Sequence, residues 1–140
     1  MNLDNTVDLL WVLICAILVF LMQAGFMCLE AGCTRNKNNI NTALKNICDF
    51  GICMLAFWAC GYGLMFGNSL SGFVGTSDFL FLSKSPQAGA WFIFQAGFCG
   101  AALTIVSGAV AERLKFSMYL VISTVGAIFL YPLVGPWIWN

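Results

Sequence analysis

The 140-residue sequence contains no histidine. The commonest general base and metal ligand is therefore missing. Charge is scarce as well, with 9% of residues being Asp, Glu, Lys or Arg, against about a quarter in soluble domains. Six basic and six acidic residues cancel, so no basic face exists for nucleic acid. Seven cysteines include no Cys-x-x-Cys, and close pairs such as Cys48 and Cys53 do not match zinc spacings. A disulfide scaffold would be polar and loop-rich, which this chain is not. The cysteines read as small apolar packing residues. No nucleophile, base and orienter stand together, so neither an enzyme nor a metal or cofactor site is expected. The three prolines and 14 glycines are spread along apolar runs and form no low-complexity segment.

What is present is apolar. Hydrophobic residues make up 61% of the chain, and its mean hydropathy is +0.89. A soluble chain this short could not bury so much apolar surface. Four stretches approach the roughly 20 apolar residues that a spanning helix needs. The expectation is an all-α polytopic membrane protein with spans at about 9–32, 40–67, 88–112 and 116–139. Only Gln23 breaks the first run. A β-barrel would instead show alternating strands of about ten residues. The first run is too long for a cleaved signal peptide, and it follows Asp4 and Asp8 without Lys or Arg. Arg35, Lys37 and Lys45 follow the first span, and Arg113 and Lys115 separate the third from the fourth. The outer loop 68–87 carries only Lys84, set against Asp78. The positive-inside rule puts the N-terminus outside and loops 33–39 and 112–116 in the cytosol. The 68–87 segment reads as an outer loop with a short interfacial helix.

Polar groups inside spans are costly, so each asks for a reason. Glu30 reads either as a helix-end carboxylate paired with Arg35 and Lys37 or as a transport residue, and the first is favoured. Lys45 and Asp49 are four apart on one helix face and can pair. Glu112 and Arg113 read as a cytosolic anchor at the membrane surface. Gly63 with Gly67, and Gly100 with Thr104 and Gly108, repeat every four residues and indicate close packing. Phe94 and Phe98 share one face of the third span, with Gln95 beside them. Trp137 and Trp139 close the fourth. Aromatic rings at that depth fit an interfacial belt or a cation-π site worth about 0.5 to 2 kcal/mol. Spacing alone favours the belt.

Several segments together resemble the ammonium transporter (Amt/Rh) family. These are FLMQAGFMCLEAG at 20–32, KNNIN at 37–41, KNICDF at 45–50, FQAGF at 94–98, TIVSGAVAERLKF at 104–116 and YPLVGPWIW at 131–139. They lie in order and cover about Leu10 to Trp139. The likeness is greatest to the bacterial and invertebrate branch. The resemblance implies an N-terminal portion, about the first four of some eleven spans built as two inverted repeats. It assigns Phe98 to the outer gate, Phe94 to the same vestibule, and Trp139 to an external cation-π site that recruits ammonium. For those residues it outweighs the belt reading. Trp11, Trp58, Trp91 and Trp137 stay packing or belt residues. Pro136 stands where many members have His. The family's pore histidines, internal Asp, recruitment Ser and second gate Phe would lie beyond residue 140.

The function so implied is passage of ammonium or ammonia (with methylammonium as analogue) through a plasma-membrane homotrimer embedded in the bilayer. These residues alone are not expected to enclose a pore. The alternatives are an ammonium-sensing module of a signalling protein, a nonfunctional fragment, or a four-helix structural membrane protein without ligand.

Overall fold

A computed structural model describes residues 3–68, 75–83 and 85–139, with side chains from Thr6 to Ile138. In lipid every backbone polar group must be satisfied within the protein, which turns long apolar runs into helices. Four helices among the described residues are long and apolar enough to cross a membrane. Helix α1 is Leu3–Cys33. Helix α2 runs over 36–66, opening on a 3-10 turn at Asn36–Asn38. Helix α3 is Pro86–Ala109. Helix α4 runs over 116–139. The third starts where its sequence dictates. The Ser85 hydroxyl accepts from Ala88 N–H at 3.2 Å, and Pro86 takes the first helical position, where its missing N–H costs nothing. It stops at Ala109 rather than near 112, because the backbone turns at Val110 and Glu112 adopts φ 62°.

Helix α3 is the central one and α1 the least buried. Its small residues make this possible. A Cβ on Gly97 would lie 3.0 Å from Val19 of α1, and one on Gly100 would lie 2.9 Å from the Phe50 ring of α2. The apolar core joins Cys53, Phe57, Tyr62, Met65, Ala96, Cys99, Leu103 and Ala127.

Helices α2 and α4 each carry a π segment, at Phe57–Gly61 and Gly126–Leu130. The two meet: a Cβ on Gly61 would come within 2.9 Å of the Ala127 carbonyl. In the first segment Tyr62 N–H reaches back five residues to Phe57 O. Carbonyls of that turn then receive donors from elsewhere. Trp58 O accepts from Phe81 N–H at 3.2 Å, and Ala59 O accepts from Leu80 N–H at 2.9 Å. The indole of Trp58 donates in return to Phe81 O at 2.9 Å. The outer connection is therefore laid back along α2.

The short interfacial helix expected in the outer loop is not in 75–83, which run as irregular backbone against α2, with Asp78 and Leu80 in the left-handed region at φ 60° and 53°. Residues 69–74 and Lys84 of that loop lie outside the described residues. Gly63 and Gly67 are not a helix–helix face either. A Cβ on Gly63 would lie 2.7 Å from Ser77 O, so the close approach they permit is that of the loop.

Replacing Gly61 by Val tests the crossing of α2 and α4. The new side chain would collide with the Phe57 ring and the Ala127 carbonyl. We expect a loss of about 1–3 kcal/mol, the usual cost of overpacking, read as a lower unfolding temperature in detergent.

Candidate functional site

Aromatic side chains gather in the half of the bundle that holds the 75–83 connection. Trp91, Phe94 and Phe98 follow one another down α3. Trp91 stacks on Phe94 at 5.5 Å and 28°, and Phe94 meets Phe98 edge to face at 4.9 Å and 69°. Both phenylalanines are half-buried. Phe66 of α2 packs on Trp91 at 6.3 Å. Trp91 is expected as a packing or belt residue and does pack; its i, i+3, i+7 spacing to Phe94 and Phe98 is the signal that the three form a file. Gln95 does not share that face. It is fully buried, and its Oε1 accepts from the Tyr131 hydroxyl of α4 at 2.9 Å. The Trp139 side chain lies outside the described residues, so its distance from Phe98 is not part of this geometry. Trp137 is exposed.

The other half of the bundle is polar inside. The Thr104 hydroxyl of α3 accepts from Gln23 Nε2 at 2.6 Å and faces Asp49 Oδ2 at 3.2 Å. Asp49 also accepts from the Cys53 thiol at 3.5 Å. Nearby, Glu30 Oε2 accepts from Asn46 Nδ2 at 2.9 Å and from the Ser107 hydroxyl at 3.2 Å. Gln23, Glu30, Asn46, Asp49, Thr104 and Ser107 are all buried. Gly108 leaves room for this carboxylate, since a Cβ there would lie 3.2 Å from Glu30 Oε1.

These contacts redirect the charges. Glu30 is held by Asn46 and Ser107 rather than by Arg35 and Lys37. Lys45 and Asp49 share a face without an ion pair among the described residues. Lys45 Nζ instead donates to Leu114 O at 3.2 Å and stands 5.8 Å over the Tyr119 ring. Arg35 pairs with Glu112, Nε to Oε2, at 3.7 Å. Glu112 Oε1 accepts both Arg35 N–H at 3.0 Å and Asn38 Nδ2 at 2.9 Å. A carboxylate from the α3–α4 turn thus sits at the start of α2, where free N–H groups and the helix dipole favour negative charge. The Asn38 amide and Arg35 backbone donors hold the Glu112 carboxyl below the ordinary range. Arg113 is exposed beside it. Gln23, Asn46, Thr104 and Ser107 were missed as network members because no local spacing marks them; their partners lie on other helices.

The sequence model described as the Ammonium Transporter Family matches residues 10–140. The Synechocystis sp. protein sll0537 is 54% identical over 137 residues, covering 97% of this chain and 25% of its own length. Ammonium transporter Amt2 of Archaeoglobus fulgidus is 45% identical over 142 residues, with 99% and 30% covered. Among solved structures, a Sensor Amt Protein superposes with a TM-score of 0.90 at 37% identity, over 96% of this chain and 34% of that one. The chain spans about a quarter to a third of the length of these relatives.

Thr104→Val keeps the shape but removes the shared hydroxyl. Gln23 and Asp49 then each lose a buried partner, and we expect a loss of about 1–3 kcal/mol in detergent unfolding. The Glu112 bridge carries a pH signature. Its folded carboxyl lies below its unfolded value of about 4.3, so its stabilisation is full above that value. It disappears as pH falls through the lower folded value. The protection factor of the Arg35 amide hydrogen, its exchange rate relative to an unstructured amide at the same pH, should therefore fall on acidification below the ordinary carboxyl range, and Glu112→Gln should remove that response.

Proposed function

The chain belongs to the ammonium transporter family, and from that premise we propose that it forms part of a protein that passes ammonium across a membrane. Phe98 is the outer gate, Phe94 lines the same vestibule, and Trp139 joins Phe98 in recruiting the cation. The observation that carries this reading is the file Trp91–Phe94–Phe98 on α3, set within the segment that the family model matches. A ring face attracts a weakly hydrated cation by about 0.5 to 2 kcal/mol, and apolar rings beneath it exclude water. Ammonium would be gathered outside and stripped of its shell before it crosses. The Gln95–Tyr131 hydrogen bond fixes α3 against α4, and so sets the height of Phe98 relative to the end of α4.

The N-terminus and the 75–83 connection face outward, and Arg35, Lys37, Arg113 and Lys115 face the cytosol, as the positive-inside rule directs. The working assembly is a homotrimer in the plasma membrane, each subunit with its own pore. Glu30, Lys45, Asp49, Glu112 and Arg113 serve structure. Since the relatives are three to four times longer, residues 1–140 alone supply one side of the pore, and cells lacking other transporters should gain no methylammonium uptake from them.

A second reading is sensing, supported by the likeness to the Sensor Amt Protein. Uptake separates the two, because a sensor binds ammonium without passing it. The test of the site is Phe98→Ala with Trp139→Leu in the full-length protein. Ammonium affinity should fall about 2- to 30-fold, matching about 0.5 to 2 kcal/mol, with uptake falling alongside. Unchanged affinity and uptake would remove both residues from the site.

A further inference from the structure

A cavity of about 160 Å³ opens where the first turns of α2 meet the α3–α4 turn. Asn38, Asn41, Thr42, Lys45, Glu112 and Leu114 line it, and its wall is mostly polar. Asn38, Thr42 and Lys45 stand at i, i+4 and i+7, so one face of α2 presents all three. None of the six belongs to the aromatic file or bonds to Thr104.

Two of these side chains are buried with donors to spare. Lys45 is 6% exposed, and its ammonium group carries three N–H donors. One goes to Leu114 O at 3.2 Å. The Tyr119 ring, 5.8 Å away, offers a face but no counter-charge. No carboxylate lies within ion-pair distance of Lys45 among the described residues. Thr42 is also 6% exposed. Its carbonyl takes Asn46 Nδ2 at 3.2 Å, whereas its hydroxyl has no hydrogen-bond partner among the described residues. The hydroxyls of Tyr119 and Ser123 are sealed from solvent, but that of Thr42 opens on the cavity.

A buried charge is costly unless it is paired and hydrogen-bonded. Glu112 also lines the cavity, but its oxygens already face Arg35 N–H, Asn38 Nδ2 and Arg35 Nε. Its charge is answered by Arg35, and that of Lys45 is left over. Arg35, Lys37, Arg113 and Lys115 are exposed at the same end of the bundle and draw anions toward it. An ammonium group, a hydroxyl and the Asn41 amide thus border one small polar space. A tetrahedral oxyanion suits them, because its several oxygens accept from all three and charge-assisted bonds are the strong ones.

We propose that this cavity binds a phosphate group through Lys45 Nζ, the Thr42 hydroxyl and the Asn41 amide. Basic pockets between spanning helices on the cytosolic side hold anionic headgroups, and the positive-inside rule puts this end of the bundle in the cytosol. An inner-leaflet lipid and a free phosphate offer the same chemistry here. At roughly 30 Å³ for each water, the cavity takes about five such atoms, as many as a phosphate group has. Bound there, the phosphate ties the first turns of α2 to the α3–α4 turn. The proposal does not depend on the transport reading.

The probe is tungstate, a tetrahedral oxyanion that scatters anomalously. Crystals of the full-length protein soaked in sodium tungstate should show a peak within hydrogen-bond reach of Lys45 Nζ and Thr42 Oγ1. Displacement by dioctanoyl phosphatidylglycerol but not by inorganic phosphate identifies a lipid headgroup as the ligand. Displacement by inorganic phosphate identifies the free anion. Displacement by neither marks an adventitious ion only and overturns the proposal. Thr42→Val keeps the shape and removes no existing hydrogen bond, so the protein should fold as before. Peak occupancy across soak concentrations should then report tungstate binding about tenfold weaker, the size of one hydrogen bond to a charged group. Lys45→Met should abolish the peak. No peak, a peak only at exposed Arg113 or Lys115, unchanged binding in Thr42→Val, or a carboxylate from elsewhere in the full-length chain seated against Lys45 overturns the site.

Discussion

Hydrocarbon offers no hydrogen bonds, and the contacts among α1, α2 and α3 answer that constraint. Buried polar side chains in spans are costly unless other helices supply partners. Thr104 is the hub. Its hydroxyl ties α1 through Gln23 and α2 through Asp49 onto α3. The Glu30–Asn46–Ser107 group repeats the pattern with the same three helices. Three helices that could slide along one another in an all-apolar bundle are thereby held in a single register. The small residues of α3 serve the same end, because hydroxyl, amide and carboxylate reach each other only when Gly97 and Gly100 let the backbones approach.

The backbone obeys the same rule. A π segment inside a helix frees carbonyls, and in lipid a free carbonyl is expensive. Here Trp58 O and Ala59 O are met by the N–H groups of Phe81 and Leu80. The irregular 75–83 connection is thus held by the irregularity of α2, and each explains the other. Positive φ at Asp78 and Leu80 is the cost of bringing those donors into place.

The apolar runs made the four helices and their order legible, because length and hydropathy decide a span whatever its neighbours are. Helix ends were less legible: α1 begins at Leu3 rather than near 9, and α3 ends at Ala109 rather than near 112. Ser85 and Pro86 announce the start of α3, whereas the stop at Ala109 depends on a turn shaped by Glu112. Charge pairing was not legible even within one helix. Lys45 and Asp49 do share a face, but Lys45 finds a carbonyl and a ring from the α3–α4 turn and start of α4, partners no local spacing reveals. Glu30 lies close in sequence to Arg35 and takes Asn46 and Ser107 instead, while Glu112, far away in sequence, takes Arg35. Long-range partners set these outcomes, and a single sequence carries no record of them.

The two halves of the bundle therefore differ in chemistry. Rings line α3 where Trp91, Phe94 and Phe98 stand, and amides and carboxyl groups fill the region around Thr104. Hydrogen bonds weaken steeply as their angles close, so the polar half holds α1, α2 and α3 to one set of distances. The ring file stands on the same α3 helix. Its height in the bundle is therefore set from the opposite half, by side chains that make no ring contact with it.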